Sequence, residues 1–351
     1  MSERSGRADQ HRTGSAQQAL ERGTDRPLME IYDAALLDLD GVVYVGPAAV
    51  PHAPETLAAA RSAGMRLAFV TNNASRPPEK VAAHLRELGV PAESDEVATS
   101  AQAAARVVAE MVPAGSAVLI VGGEGLEEAI VGRGLRPVRA HDPDVAAVVQ
   151  GYDPTVGWMQ LAEGSFAVRS GVPWVASNTD LTIPTARGIA PGNGALVQVI
   201  RSTTGREPVV AGKPELALHA ESAERVNAHR PLIVGDRLDT DIEGANRAGA
   251  DSLLVLSGVT DAAQLLAAPP EHRPTYLAAD LRGLLRVHEP VCLDADGVSS
   301  GGWTASVRDG RLELTGSGEP SEGLRVACVA WWSTPGDDPT PALRRLAGAG
   351  G

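Results

Sequence analysis

At 351 residues, with 43% apolar and 21% charged side chains, the chain has room for two or three domains with cores of their own. A net charge of −13 argues against nucleic acid or an anionic membrane as the main partner, and no apolar run approaches the roughly 20 residues of a membrane span. The two cysteines, Cys292 and Cys328, sit in no CxxC and near no histidine at metal spacing. There is no disulfide framework, free buried thiols are the expectation, and a cytoplasmic location follows from it.

Residues 1–27 are polar throughout, lack the apolar core of a secretion signal, and read as a disordered tail. From residue 33 strand and helix patterns alternate. "AALLDL" (34–39) is a continuous apolar run of the kind buried on both faces of a parallel sheet. "APETLAAARSAG" (53–64) is a helix stopped by Gly64, "MRLAFVTNN" (65–73) a strand, and "RPPEKVAAHLRELG" (76–89) a helix opened by proline and closed by glycine. "SAVLIVG" (116–122), "VAAVVQG" (145–151) and "VPWVASN" (172–178) form a second βα series, followed by "PLIVGD" (231–236), "DSLLVLSG" (251–258) and "TYLAADL" (275–281). This alternation predicts a doubly wound α/β fold; the simplest architecture has a core over 28–100 and 208–289 with 101–207 inserted as a second α/β domain, and one large sheet is the other reading. Residues 290–351 change character. Asp309-Gly310 between alternating runs signals a hairpin over 303–316, "GLRVACVAWW" (323–332) reads as a further strand, and "TPALRRLAGAG" (340–350) as a terminal helix. The expectation is a small α+β appendage.

Asp-x-Asp-Gly-Val occurs twice, at 38–42 and 294–298. Ligands of α/β sheets bind at the carboxyl ends of strands, and the core strands are followed by Asp38 and Asp40, by Thr71-Asn72-Asn73, by Lys213, and by Asp236 and Asp241. Those residue types suit phosphoryl transfer: carboxylates as hard ligands for Mg²⁺, a cation and donors for phosphate oxygens, and a carboxylate nucleophile beside a second acid. The second pair, Asp294 and Asp296, has no such groups after it, and "DGVSSGG" reads as a turn. "GGEGLEEAI" (122–130) lacks the Lys-Ser/Thr of a nucleotide loop, and the eight histidines are scattered, so neither nucleotide nor zinc is indicated.

In their order, "DLDGVVY", "TNN", "GKP" and "GDRLDTD" resemble the four motifs of the haloacid dehalogenase superfamily phosphatases. "TNNASRP" and "SNTDLTIPTARGIAPGNGAL" (177–196) are similar to its NagD-like branch, subfamily IIA, which includes phosphoglycolate, glycerol-phosphate and 4-nitrophenyl phosphate phosphatases. The resemblance covers about 30–288. It implies a Rossmann-like core with an inserted C2-type cap, and a Mg²⁺-dependent phosphatase working through an aspartyl-phosphate. By motif, Asp38 would be nucleophile and metal ligand. Asp40 would be general acid/base, with its carbonyl on the metal. Asp236 would be a further ligand, with Asp241 behind it or, in the alternative reading, capping the next helix. Thr71 with the Asn72-Asn73 main chain would hold phosphate, and Lys213 would bridge phosphate and nucleophile. The cap would close over the leaving group. Asp153, Asn178 and Asp180 are its candidates for specificity, with capping of the next turn as their other reading.

The expected partner is a small phosphorylated metabolite, glycerol 3-phosphate first and 2-phosphoglycolate next; a homo-oligomer stays open. The rival readings are a phosphomutase of the same fold and a non-catalytic phosphate sensor. A dehalogenase does not need the acid at Asp40. An acyltransferase-like fragment that regulates or dimerises the enzyme is a further reading of the appendage.

Overall fold

The computed structural model describes residues 19–349 except Ala186 and Asp296. Its contacts divide the chain into two compact units, one of residues up to 35, 50–65 and 230–351, the other of 36–49 and 66–229.

A six-stranded sheet runs in the order Tyr276–Ala278, Asp251–Val255, Pro231–Gly235, Ala34–Asp38, Arg66–Thr71, Val97–Thr99. The three strands on one side pair in parallel, Gly235 opposite Leu254 and Val255 opposite Ala278; on the other side Thr71 lies opposite Thr99, also in parallel. Strand order reverses at Ala34–Asp38, where open α/β sheets place their ligands. Ala34 to Leu37 are all buried, which explains why this strand shows no alternation. Helices Ala53–Ser62 and Pro78–Glu87 carry proline in their first turn, and Gly64 and Gly89 follow them at positive φ, as the sequence predicts.

In the second unit a five-stranded parallel sheet has the order Val209–Val210, Trp174–Ala176, Val145–Gln150, Ala117–Val121, Arg136–Val138. Leu119, Val121, Val148, Trp174 and Ile200 form its core, helices Trp158–Arg169 and Asn193–Thr204 contributing one side.

The first unit ends in a four-stranded antiparallel sheet, Cys292–Asp294, Gly297–Ser300, Trp303–Arg308 and Arg311–Gly316. Asp309 (φ 50°) and Gly310 (φ 74°) make its tight turn, the left-handed pair that such hairpins require. Residues 323–332 depart from expectation. They lie in a helix, Pro320–Ser333, not in a strand. Gly323 through Ala330 are all buried, so the helix has no polar face and its sequence shows no 3.6-residue period. Trp331 and Trp332 accordingly end a helix. "DGVSSGG" is also more than a turn, since Gly297–Ser300 forms a strand; Asp294 is exposed there, and Asp296 lies outside the described residues.

The tail is a second correction, where it is described. Leu20 is fully buried with Leu254, Leu277, Trp303 and Val326 in one hydrophobic cluster. Buried Arg325 donates from Nε to the Leu20 carbonyl at 2.8 Å and from Nη1 to Glu322 Oε2 at 3.0 Å. Arg22 pairs with Asp251 at 2.6 Å. One apolar side chain and two arginines order a stretch whose overall polarity suggests disorder. Residues 1–18 lie outside the described residues. Both cysteines are free; Cys328 is buried as expected, whereas Cys292 is exposed.

Candidate active site

Asp38 closes its strand, and the next six residues turn back tightly: the amides of Val43 and Tyr44 both donate to the Leu39 carbonyl, at 2.9 and 3.1 Å. Gly41, at φ +86°, makes this turn available; a side chain there would be strained. The loop sets Asp38 and Asp40 two residues apart.

Lys213 follows the short strand Val209–Val210. It is 5% exposed, and its Nζ donates to Asp38 Oδ1 at 2.5 Å. The pairing brings two motifs 175 residues apart into contact. One carboxylate oxygen from each of Asp38, Asp236 and Asp241 lies within 4.8 Å of the others. Three hard oxygen donors at that spacing fit a divalent cation such as Mg²⁺. The Asp40 side chain is not in that group.

Asp236 is fully buried. Its Oδ2 accepts from the Val259 amide at 2.6 Å, and its carbonyl accepts from Thr260 Oγ1 at 2.6 Å. A Cβ on Gly258 would lie 1.9 Å from that same Oδ2. The stretch Gly258-Val259-Thr260 therefore cradles the acid. Sequence reading passed it over, although its place after the strand Asp251–Val255 is the usual one for site residues. Asp241 accepts from the Arg237 amide at 3.1 Å through Oδ2, within the wide turn Leu238–Ile242. The N-cap position of the helix Glu243–Ala248 is held by Ile242, not by Asp241. A Cβ on Gly235 would meet it at 2.2 Å, so both glycines flanking the acids leave room for carboxylates.

Solvent reaches Asp40, yet dense protein surroundings push its pKa up; the positive charges of Lys213, Arg76 and His84 pull against this. The upward direction suits a group that must carry a proton. Tyr44 stacks edge-on against His84 at 5.2 Å beside it. Neither was anticipated.

Thr71 ends the strand Arg66–Thr71, and its Oγ1 accepts from the Asn73 amide at 3.0 Å, which leaves the hydroxyl hydrogen for an outside acceptor. That Asn73 amide, expected on phosphate, is directed to Thr71 instead. Asn73 Oδ1 accepts from the amide and the hydroxyl of Ser75, at 2.8 and 2.7 Å. Asn72 binds to the 211–213 and 178–180 segments at once: Oδ1 accepts from the Lys213 amide, Nδ2 donates to Asp180 Oδ2, and its carbonyl accepts from Asn178 Nδ2 at 2.6 Å. Asn178 and Asp180 thus adjoin the phosphate loop. Asp153 does not share these bonds. Its Oδ1 accepts from the Thr155 amide and hydroxyl, at 2.9 and 2.5 Å, the geometry of its capping alternative.

An aspartate ion-paired to a lysine and grouped with two further carboxylates is a set of groups that suits phosphoryl transfer by a hydrolase of the α/β type. The family comparisons agree. Residues 35–136 match the haloacid dehalogenase-like hydrolase model, 210–284 a further HAD hydrolase-like model, and 300–348 a GCN5-related N-acetyltransferase-like domain. The chain is 46% identical over 294 residues to a D-glycerol 3-phosphate phosphatase of Mycobacterium tuberculosis, covering 84% of this chain and 81% of that one. Among solved structures it is similar to glycerol phosphate phosphatase Rv1692 from M. tuberculosis in complex with magnesium, with 41% identity, a TM-score of 0.84, and 92% and 99% of the two chains covered. A double-mutant thermostable NPPase from Geobacillus stearothermophilus matches with 33% identity and a TM-score of 0.65 over 71% of this chain and 96% of that one. The chain belongs to the haloacid dehalogenase-like hydrolases, and within them to the phosphatases. Among the described residues, no helix is long and apolar enough to cross a membrane.

Proposed function

We propose that this phosphatase hydrolyses glycerol 3-phosphate with the aid of Mg²⁺. The observation that carries the reading is the Lys213–Asp38 pair at 2.5 Å, set among the carboxylates of Asp236 and Asp241. The choice of glycerol 3-phosphate is supported by the relative at 46% identity, whose name carries that substrate.

In this mechanism Asp38 attacks phosphorus and becomes an aspartyl-phosphate while the glycerol oxygen leaves. Protonated Asp40 gives that oxygen its proton. The carboxylate so formed then takes a proton from the water that attacks the same phosphorus, releasing phosphate and restoring Asp38. Lys213 offsets the negative charge on the nucleophile and on the phosphate oxygens. The hydroxyl of Thr71 donates to one of those oxygens. Asp38, Asp236 and Asp241, with the Asp40 carbonyl, would hold Mg²⁺, which when bound supplies positive charge against a dianionic substrate. Without a cation those acids repel phosphate, since one lysine does not balance three carboxylates.

Residues 101–207 act in this proposal as a C2-type cap inserted in a core of 28–100 and 208–289, and Asn178 and Asp180 meet the leaving group. Residues 290–351 form the appendage. Its acyltransferase-like match is supported by the order of its elements, a hairpin sheet followed by a helix. The cytoplasm is the proposed compartment.

Phosphate release from glycerol 3-phosphate, 2-phosphoglycolate, a sugar phosphate and a nucleoside monophosphate, with and without Mg²⁺, tests the assignment. Glycerol 3-phosphate should have the highest kcat/KM, and chelation should abolish turnover. A sugar phosphate or nucleotide preferred by tenfold would overturn the substrate; an isomerised product without free phosphate would make the protein a mutase.

A further inference from the structure

We propose that Asn72 is a positioning residue whose side chain clamps the Lys213 peptide and thereby aims the lysine at the nucleophile. The inference rests on the phosphatase reading above. An asparagine amide offers one oxygen and two N–H groups. Asn72 Oδ1 accepts from the Lys213 amide at 2.8 Å, and Nδ2 donates to the Lys213 carbonyl at 3.2 Å and to Asp180 Oδ2 at 3.1 Å. Both donors are engaged within the protein. The side chain holds its neighbours and has no N–H left for a substrate oxygen.

Gly212 supplies an independent observation. A Cβ there would lie 2.6 Å from Asn72 Oδ1 and 2.3 Å from the Ser177 carbonyl. The glycine before Lys213 is thus required by the space the clamp occupies. Asn72 is itself anchored, its carbonyl accepting from Ser100 Oγ and from Asn178 Nδ2, each at 2.6 Å. Ser100 opens the helix Ser100–Met111, so one end of the clamp sits on a rigid element.

The physical need is clear from the lysine. Its four-carbon stem is flexible, and a bond to Asp38 at 2.5 Å needs a fixed main-chain origin as well as a buried path. Holding both the N–H and the C=O of residue 213 supplies that origin. Through Nδ2 the same amide joins Asp180 to Lys213, so the segment proposed to meet the leaving group is mechanically tied to the charge beside the nucleophile.

A double-mutant cycle on 4-nitrophenyl phosphate with Mg²⁺ tests this, with Asn72→Ala, Lys213→Ala and the pair, each checked for folding by circular dichroism. Asn72→Ala should lower kcat by about tenfold or more with KM little changed, as loss of alignment does. In the Lys213→Ala background the same substitution should cost less than about twofold, because the residue it serves is gone. Asn72→Asp keeps the shape but sets an oxygen against Asp180 Oδ2; it should lose kcat likewise, and adding Asp180→Asn should recover part of the loss. It carries the same cycle if Asn72→Ala does not fold. Equal losses in both backgrounds would overturn the clamp. So would a raised KM at unchanged kcat, which would make Asn72 a substrate ligand. If the wild-type protein turns over no phosphomonoester, the phosphatase mechanism falls and the clamp with it; an active wild type with an additive cycle overturns the clamp alone.

Discussion

Lys213 Nζ and Asp38 Oδ1 stand 2.5 Å apart, both largely shielded from solvent, with side chains 4% and 12% exposed. A charge-assisted bond of that length between a shielded lysine and a carboxylate holds the acid in place beside a positive charge. It also means that neither group can be removed without stranding the other's charge.

Asp38→Asn should therefore abolish phosphate release even in a single turnover, since the amide does not attack phosphorus. Lys213→Ala should retain binding of the cation but lose about 10²- to 10³-fold in kcat, the size of effect seen when one preorganised charge is deleted. Rapid-quench measurement of the phosphoenzyme separates the two. The first variant should show none, and the second should show slow formation.

Gly258→Ala tests the cradle of Asp236. Gly258 is not among the glycines at positive φ, so backbone strain is no part of the effect. The added methyl would collide with Asp236 Oδ2, 1.9 Å from its ideal position. The carboxylate must move and weaken its bond from the Val259 amide. The Mg²⁺ concentration needed for half-maximal activity should rise by about tenfold, as loss of a group that orients a metal ligand does. Calorimetric titration with Mg²⁺ checks this without substrate.

Arg325 is 1% exposed and holds the Leu20 carbonyl and Glu322. Arg325→Ala removes the donor of a buried carbonyl and leaves the Glu322 carboxylate with the Ser300 hydroxyl but without its charged partner. Stability in urea should fall by about 3 kcal/mol. Proteolysis near residue 20 should accelerate, while kcat stays near the wild-type value.

His288 predicts an acid sensitivity. Burial lowers its pKa from the ordinary 6.5; the bond to the Gly283 carbonyl and Glu322 raise it, and Arg325 and Arg286 lower it further. Burial prevails, so the folded protein holds the imidazole neutral while the unfolded chain takes up a proton near pH 6.5. Its contribution to stability is complete above that pH and is lost as pH falls from 6.5 towards the lowered folded value. Unfolding midpoints between pH 7.5 and 5 should decline, and His288→Gln, which can still donate to the Gly283 carbonyl, should flatten the decline.

Much of the site was legible because its chemistry tolerates few residue types. Asp38, Asp40, Lys213, Asp236 and Asp241 follow apolar strands, and their order along the chain matched a known set of motifs. The core strands were equally legible, since runs such as "AALLDL" and "PLIVGD" are bounded by polar residues and turn formers. The helix 320–333 was not. Burial on all sides removed the polar face by which a helix shows its period, and the remaining apolar run looks like a strand. Leu20 and Arg22 were missed for the opposite reason, as a short anchored stretch beside a long polar one.

By itself, then, the sequence determined most of the succession of strands and helices, the candidates among its acids and lysines, and the class of reaction, because each is a matter of local pattern or residue chemistry. Only the tertiary structure decided which amides and carbonyls those groups meet. Asn72 finds Asp180 and Lys213 across 108 and 141 residues, and Arg325 finds Leu20 across 305. Hydrogen bonds at such separations depend on where the sheets bring the chain together, and no local pattern records that.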